Sequence, residues 1–385
     1  MFGTLVDYWH ITGDSTYNDV TSQAIVHQSG DDADLMPRNQ TSTEGNDDQG
    51  FWAMTAMSAA ETAFPDPPPD QPQWLALVQA VYNLYVSRWE EADCGGGLRW
   101  QIFQLNQGFN YKNSISNGCF FNIAARLARY TGNDTYAEWA EKVYDWQVDV
   151  GFIRDDFSVE DGAAVETLCQ NRTEILWSYN AGIFIHGAAV MYNVTESDAW
   201  KERLDGLLGH AVETFFNGSV AVEQACEPFG ICNIDQRSFK GYLLRWLSST
   251  AQLAPHTSEI IVPLLRATGE AAAAACDGSP PPKDFRGMPG TACGQDWTKG
   301  TFDGWVGVGE QMNALAAVQY SLTQEAKPPV TEDNGGTSKG DPGAGEASVH
   351  KFELAPITIR DRVAAGFVTA ALCFGVLSGC VFVMR

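Results

Sequence analysis

Two acids stand side by side in "GNDDQGFWAM", residues 45 to 54, where an apolar helix begins. A lone aspartate there would cap unpaired N–H groups and complement the helix dipole. Asp47 and Asp48 together, beside Gln49 and Trp52, can do more. Adjacent Cα atoms lie about 3.8 Å apart. Diverging side chains then separate the carboxyls by roughly 5 Å, which suits a retaining glycosidase and is too short for the water an inverting pair must hold. Close carboxylates also couple their titrations, so one keeps a proton near neutrality and acts as acid while the other acts as nucleophile.

Rival chemistries lack their parts. The histidines at 10, 27, 186, 210, 256 and 350 are scattered, and there is no HExxH, no GxSxG elbow, no P-loop and no strand ahead of "GVGEQM". Neither a metal nor a cofactor is expected. Asp155 and Asp156 read as a solvated turn, whereas Asp161, before Gly162, suits contact with a sugar hydroxyl.

The elements that must position these residues are helices. The apolar period predicts an all-α chain with helices over 1–11, 15–29, 46–63, 72–90, 113–131, 134–150, 178–193, 196–215, 237–252, 256–275 and 305–322. A phrase recurs: "YWHITGDSTY", "RYTGNDTYAEW" and "MYNVTESDAW" each end an apolar helix, turn through polar capping residues and launch another. Repeated αα-hairpins of unequal length predict a closed (α/α)6 barrel rather than an open solenoid. The segments leading into alternate helices carry Trp100, Lys112, Asn113, Asn117, Trp177, Tyr179, Asn180, Trp305 and Gln311, an aromatic and amide mix suited to a hydroxyl-rich ligand.

Composition supports that choice. The 385 residues are 44% apolar, enough for a large core. A net charge of −24 disfavours nucleic acid and anionic surfaces as partners. Seven cysteines precede the tail without zinc spacing, so disulfides are expected, with Cys226/Cys232 and Cys276/Cys293 near enough in sequence to close small loops and one thiol left over. Sequons at Asn39, Asn133, Asn171, Asn193 and Asn217 would accept glycans in the secretory pathway. From Val363 to Met384 the chain is uncharged and long enough to span a bilayer, and a Gly/Ser/Pro-rich stretch precedes it. Small residues, spacer and apolar tail in that order predict a glycosylphosphatidylinositol (GPI) anchor signal, with a permanent single span as the alternative. The expected division is 1–325 barrel, 326–362 linker with the attachment region, and 363–385 membrane segment. "MFGTLVDYWHITGD" has no basic or long apolar leader, so a truncated N-terminus is expected, with Phe2, Leu5, Val6 and Trp9 exposed along an unclosed seam.

Six ordered motifs, "GNDDQGFW", "CGGGLRWQI", "YKNSISNG", "ARLARYTGN", "WSYNAG" and "GVGEQM", resemble the fungal branch of glycoside hydrolase family 76, the GPI-anchored mannan endo-1,6-α-mannosidase-like proteins of fungal cell walls. The likeness spans residues 1 to about 325. It implies an (α/α)6 fold and a retaining mechanism on α-1,6-mannose linkages, with Asp47 as nucleophile and Asp48 as acid/base. It further implies action on the mannose of GPI-glycans, transfer of wall glycoproteins to a glucan acceptor, and a place at the outer face of the plasma membrane and in the wall. The expected substrate contacts are Gln49, Trp100, Lys112, Asn113, Asn117, Asp161, Trp177, Tyr179, Asn180 and Gln311. A wall-anchored mannan-binding protein without turnover is the alternative.

Overall fold

The computed structural model describes residues 1–40, 42–348 and 358–383. Its first unit, Met1–Val349, contains eleven α-helices among the described residues. In chain order they are α1 (Phe2–Thr12), α2 (Asn18–Gln28), α3 (Asn46–Glu61), α4 (Trp74–Arg88), α5 (Ser114–Thr131), α6 (Asp134–Asp149), α7 (Ser178–Thr195), α8 (Asp198–Phe215), α9 (Phe239–Leu253), α10 (Ser258–Ala274) and α11 (Val308–Tyr320). The three recurring phrases end α1, α5 and α7 as expected, each with a left-handed residue, Gly13, Gly132 or Glu196. After Gly132, Asn133 caps α6 by accepting from the Thr135 N–H at 3.0 Å.

The odd-numbered helices pack in sequence, α1 on α3 and so on to α11, and α11 packs on α1, which closes an inner ring of six. The even-numbered helices lie outside it. Burial follows position: α5 is buried along almost its whole length, whereas α6 buries one stripe that includes Tyr136, Ala140, Val143 and Tyr144. Polar groups staple inner helices together, both neighbours and α1 to α9 across α11. Arg126 of α5 binds Glu61 of α3 at 2.6 Å, and Asp7 of α1 accepts from Arg245 of α9 and from the Tyr320 hydroxyl of α11, each at 2.7 Å.

That last pair overturns one expectation. The first helix leaves no open apolar seam: Val6 is fully buried, Trp9 packs edge-on against Phe64 at 5.3 Å, and Phe2 stacks on Trp52 at 5.6 Å. Leu5 too is partly covered. The ring closes through α1.

A second departure from the helical reading is a three-stranded antiparallel sheet, β1 (Tyr111–Asn113), β2 (Glu160–Ala164) and β3 (Arg172–Leu176), with β2 central. β1 runs into α5 and β3 leads to α7, so the sheet fixes the approach to two inner helices. A two-stranded hairpin, β4 (Phe216–Asn217) and β5 (Val220–Ala221), follows α8. Disulfides join Cys94 to Cys169, Cys226 to Cys232 and Cys276 to Cys293, and Cys119 is the buried free thiol. Within the stretch read as linker, residues 326–348 lie along the barrel: the Val330 N–H donates to Glu61 O at 2.7 Å, and Asn83 Nδ2 donates to Pro342 O and Ala344 O.

The second unit, His350–Arg385, has one described helix, α12 (Ile359–Val383), whose first twenty residues are long and apolar enough to cross a membrane. Met384 and Arg385 lie outside the described residues.

Glu223, after the β4–β5 hairpin, is fully buried and bonds both the backbone N–H and the hydroxyl of Ser178 at the start of α7. Burial, and to a lesser degree the charge of Glu227, push its carboxyl up to about 8 against the pull of the two Ser178 donors and, more weakly, of Lys240. A group whose folded pKa lies above its unfolded value stabilises the fold fully below the unfolded value and loses that contribution as pH rises through the folded one. The melting temperature is therefore expected to rise by a few degrees, on the order of one or two kcal/mol of stability, between pH 8 and pH 5. Differential scanning fluorimetry should show the slope flattening in Glu223→Gln.

Candidate active site

All six inner helices point their N-termini to one end of the barrel, where a cavity of about 370 Å³ opens between α1, α3, α7 and α9. Asp47 and Asp48 both line it. They occupy the first turn of α3, so the helix dipole favours negative charge there. Asp48 is also the cap that its position suggests, accepting from the Gly45 N–H at 2.8 Å. Cap and cleft residue are one.

Asp47 is held differently. Its Oδ2 accepts from Trp100 Nε1 at 3.0 Å, while its Oδ1 is buried without a hydrogen-bond partner. Trp100 is fixed in turn. Its N–H donates to Tyr111 O at 2.7 Å, its carbonyl accepts from the Asn46 N–H at 2.9 Å, and its ring fills a place that a Cβ at Gly108, where φ is +96°, would occupy. The residue that starts α3 and the residue that orients Asp47 are therefore joined through the backbone. Burial first, and the charge of Asp48 second, hold the Asp47 carboxyl well above the usual range. Enclosure raises Asp48 against the pull of the Gly45 N–H. The pair thus favours carrying one proton between them near neutrality.

Two further acids gather nearby. Glu44, bonded by Gln28 Nε2 at 2.7 Å, is pushed up to about 7 by burial and then by Asp48. Asp235 lines the cavity from the loop before α9, raised by enclosure and by Asp48. Aromatic rings line the same cavity: Tyr179 stacks on Phe239 at 3.9 Å and 5°, and Phe51, one turn along α3 from the aspartates, meets Tyr242 at 4.8 Å. Carboxylates beside apolar rings suit a ligand that is neutral when bound and cationic when it reacts.

Comparison with known proteins agrees with this architecture. Residues 1–333 match the description of Glycosyl hydrolase family 76. The chain belongs to that family. The mannan endo-1,6-alpha-mannosidase DCW1 of Saccharomyces cerevisiae is 45% identical over 381 residues, 98% of this chain and 83% of that protein. A putative mannan endo-1,6-alpha-mannosidase of Schizosaccharomyces pombe is 48% identical over 343 residues, 89% and 76% of the two chains. Among solved structures, Dfg5 from Chaetomium thermophilum in complex with glucosamine superposes with a TM-score of 0.85 at 49% identity, covering 89% of this chain and 84% of that one. The alpha-1,6-mannanase GH76A of Salegentibacter, in an inactive variant with two consecutive aspartates changed to asparagine and with alpha-1,6-mannotriose bound, shares the fold at TM-score 0.64 and 17% identity, covering 84% of this chain and 87% of that one.

Within this family 76 barrel, the residues expected to touch substrate separate into two groups. Trp100, Tyr179 and the two aspartates meet at or beside the cavity. Asp161 accepts from the Tyr111 hydroxyl at 2.7 Å and from Trp177, whose ring meets edge-on the Phe239 ring that lines the cavity. Asn180 is fully buried in the first turn of α7, with neither amide atom hydrogen-bonded.

The others build the frame instead. Gln49 is fully buried, donating to Asp34 O at 2.6 Å and accepting from Arg88 at 2.7 Å. Lys112, also fully buried, spends its ammonium on the carbonyls of Glu90, Asp93 and Gly96, holding the glycine-rich loop ahead of Trp100. Asn113 caps α5, Asn117 clamps both backbone groups of Leu98, and Gln311 ties α11 to Thr291 and Cys293. Asp235 and Glu44 are acids that sequence reasoning missed; Asp235 reaches the cavity through the path of the loop before α9, which leaves no local signal in the sequence.

Gly45 supplies a direct check on Asp47. Its backbone, at φ −89° and ψ 171°, is open to any residue, but a Cβ there would lie 2.4 Å from Asp47 Oδ1. The same Cβ would lie 3.0 Å from Trp100 O, so Gly45→Ala should displace the carboxylate and press on the backbone pair that starts α3, lowering kcat on the order of a hundredfold with a small loss in melting temperature. Unchanged kcat would show that the orientation of Asp47 is irrelevant.

Proposed function

We propose that the protein is a retaining, endo-acting α-1,6-mannosidase or transglycosidase, with Asp47 as nucleophile and Asp48 as acid/base. The observation that carries this is the adjacent pair in one cavity, where the deeper acid is locked by Trp100 with one oxygen bare and the outer acid stays open to the cleft. A buried, oriented carboxylate suits attack on an anomeric carbon, and a solvent-facing one suits proton exchange with a departing or arriving hydroxyl. The Salegentibacter structure, a variant inactive with two consecutive aspartates replaced together, supports a need for such a pair and leaves the roles of its members to the geometry here.

Burial in the free site favours the shared proton on Asp47, so the first half-reaction requires that proton on Asp48, which gives it to the glycosidic oxygen as the ionised Asp47 forms a bond to the anomeric carbon. In the second, Asp48 takes a proton from water or from an acceptor hydroxyl, which displaces Asp47 and restores the configuration. Asp235, on the cavity wall, adds negative charge when ionised that favours the oxocarbenium-like transition state. The substrates are mannan or GPI-glycan mannose, with wall glucan as a candidate acceptor.

The apolar helix α12 supports attachment to the outer face of the plasma membrane through a GPI signal, and the names of the fungal relatives support a role in the cell wall. Asn39, Asn133, Asn171 and Asn217 are exposed glycan acceptors, although Thr41 of the first sequon lies outside the described residues. Asn193 sits in α7 with its Nδ2 donating to Leu253 O at 3.0 Å, so a glycan there would cost that bond.

Incubation with α-1,6-mannooligosaccharides and GPI-glycan fragments, with and without a glucan acceptor, followed by mass spectrometry, tests the reading. Asp47→Asn should abolish turnover without unfolding the chain. Asp48→Asn should lose on the order of a thousandfold on natural mannosides and recover in part on aryl mannosides, whose leaving groups need no proton. Equal losses on both substrates would remove Asp48 from the acid role.

A further inference from the structure

At the same end of the barrel lies a second cavity, of about 330 Å³, between the loop before α9 and the loop before α11. It adjoins the first: Asp235 and Ser238 line the active-site cavity, and Arg237, between them, lines this one. Nothing in the reaction described above uses it.

Its walls are fixed in advance. The Cys226–Cys232 disulfide closes one loop, and Cys276–Cys293 anchors the segment that carries Gln295. Arg237 is held by Cys232 O at 3.0 Å and Glu310 Oε1 at 3.2 Å, and its guanidinium lies 4.0 Å from the centre of the Trp305 ring. Trp305 is nonetheless 39% exposed, and Phe229, on the opposite loop, is 69% exposed. Large aromatic surface kept rigid and wet is unusual unless something covers it.

The charges say what that something is. Asp303 accepts from the N–H groups of Gln295, Asp296 and Trp305, Glu227 is paired with Lys240 at 3.0 Å, and Asp296 with Lys299 at 3.3 Å. The acids are engaged by donors of this chain, so neither a cation nor an anion is called for. One polar atom is left over: Gln295 Oε1, on a residue 4% exposed, is buried without a hydrogen-bond partner. An aromatic platform and an unpaired acceptor, in a pocket whose acids are already engaged by this chain's own donors, fit a neutral polyhydroxyl ring.

We propose that this cavity is a remote glycan subsite, binding a neutral hexose unit of the same chain that occupies the Asp47 cavity, with Trp305 as its stacking platform. The proposal rests on the glycosidase reading and concerns only how long a glycan the protein grips.

The test uses the full chain carrying Asp47→Asn and labelled with fluorotryptophan, titrated with short and long α-1,6-mannooligosaccharides. The Trp305 resonance is the one that vanishes in Trp305→Phe. Long oligosaccharides should shift it and disaccharides should not; Trp305→Ala should weaken binding of long oligosaccharides roughly tenfold, and Trp305→Phe should retain most of the affinity. Long oligosaccharides that bind without moving this resonance, and equally well to Trp305→Ala, would overturn the subsite and leave the role of Asp47 standing. No binding of any α-1,6-mannoside would overturn both.

Discussion

The hydrogen bond from Trp100 Nε1 to Asp47 Oδ2 is the point on which the geometry of the site turns, because the same tryptophan pairs through its backbone with Asn46, where α3 begins. Side chain and helix start are thereby fixed by one residue. Asn46 is gripped from other sides too: its Nδ2 donates to Arg99 O, its Oδ1 accepts from Arg88, and its carbonyl accepts from the Tyr85 hydroxyl. Two acids crowded into one turn repel each other. Their proximity survives because the backbone beneath them cannot relax away.

Much of the remaining architecture can be traced to that requirement. Trp100 must sit in register with Tyr111, so β1 is needed; Lys112, on the same strand, must restrain a loop of three glycines with positive φ, and it does so with three carbonyl contacts. The Cys94–Cys169 disulfide ties that loop to the β2–β3 connection. The closed ring of inner helices supplies the platform, since only parallel inner helices bring six N-termini to one end. An acidic, aromatic-walled cavity results, with its polar frame hidden behind it.

Legibility in the sequence followed the physics of each element. Helices were readable because burial on one face, or on all faces, leaves an apolar period; the strands were not, because two to five residues such as "EDGAA" are too short and too mixed to show alternation. Asp47 and Asp48 were visible because adjacency needs no tertiary information. Gln49, Lys112 and Asn117 looked like ligand contacts because polar side chains that satisfy irregular backbone and polar side chains that bind sugars share one composition; only burial and partners separate them. Asp235 was silent because its place in the cavity comes from the path of a loop, which no local pattern encodes. The closed seam was hidden for the same reason: Asp7, Arg245 and Tyr320 are far apart in the chain and meet only when the ring forms.

The central claim is that Asp47 and Asp48 act together as a retaining pair, and the anomeric form of the first product tests it most directly. Proton NMR of an α-1,6-mannooligosaccharide, recorded within minutes of adding enzyme and before mutarotation, should show the new reducing end first as the α-anomer, as should any transfer product. A β-anomer appearing first would contradict the account, since inversion requires a water held between carboxyls about 6.5–9.5 Å apart.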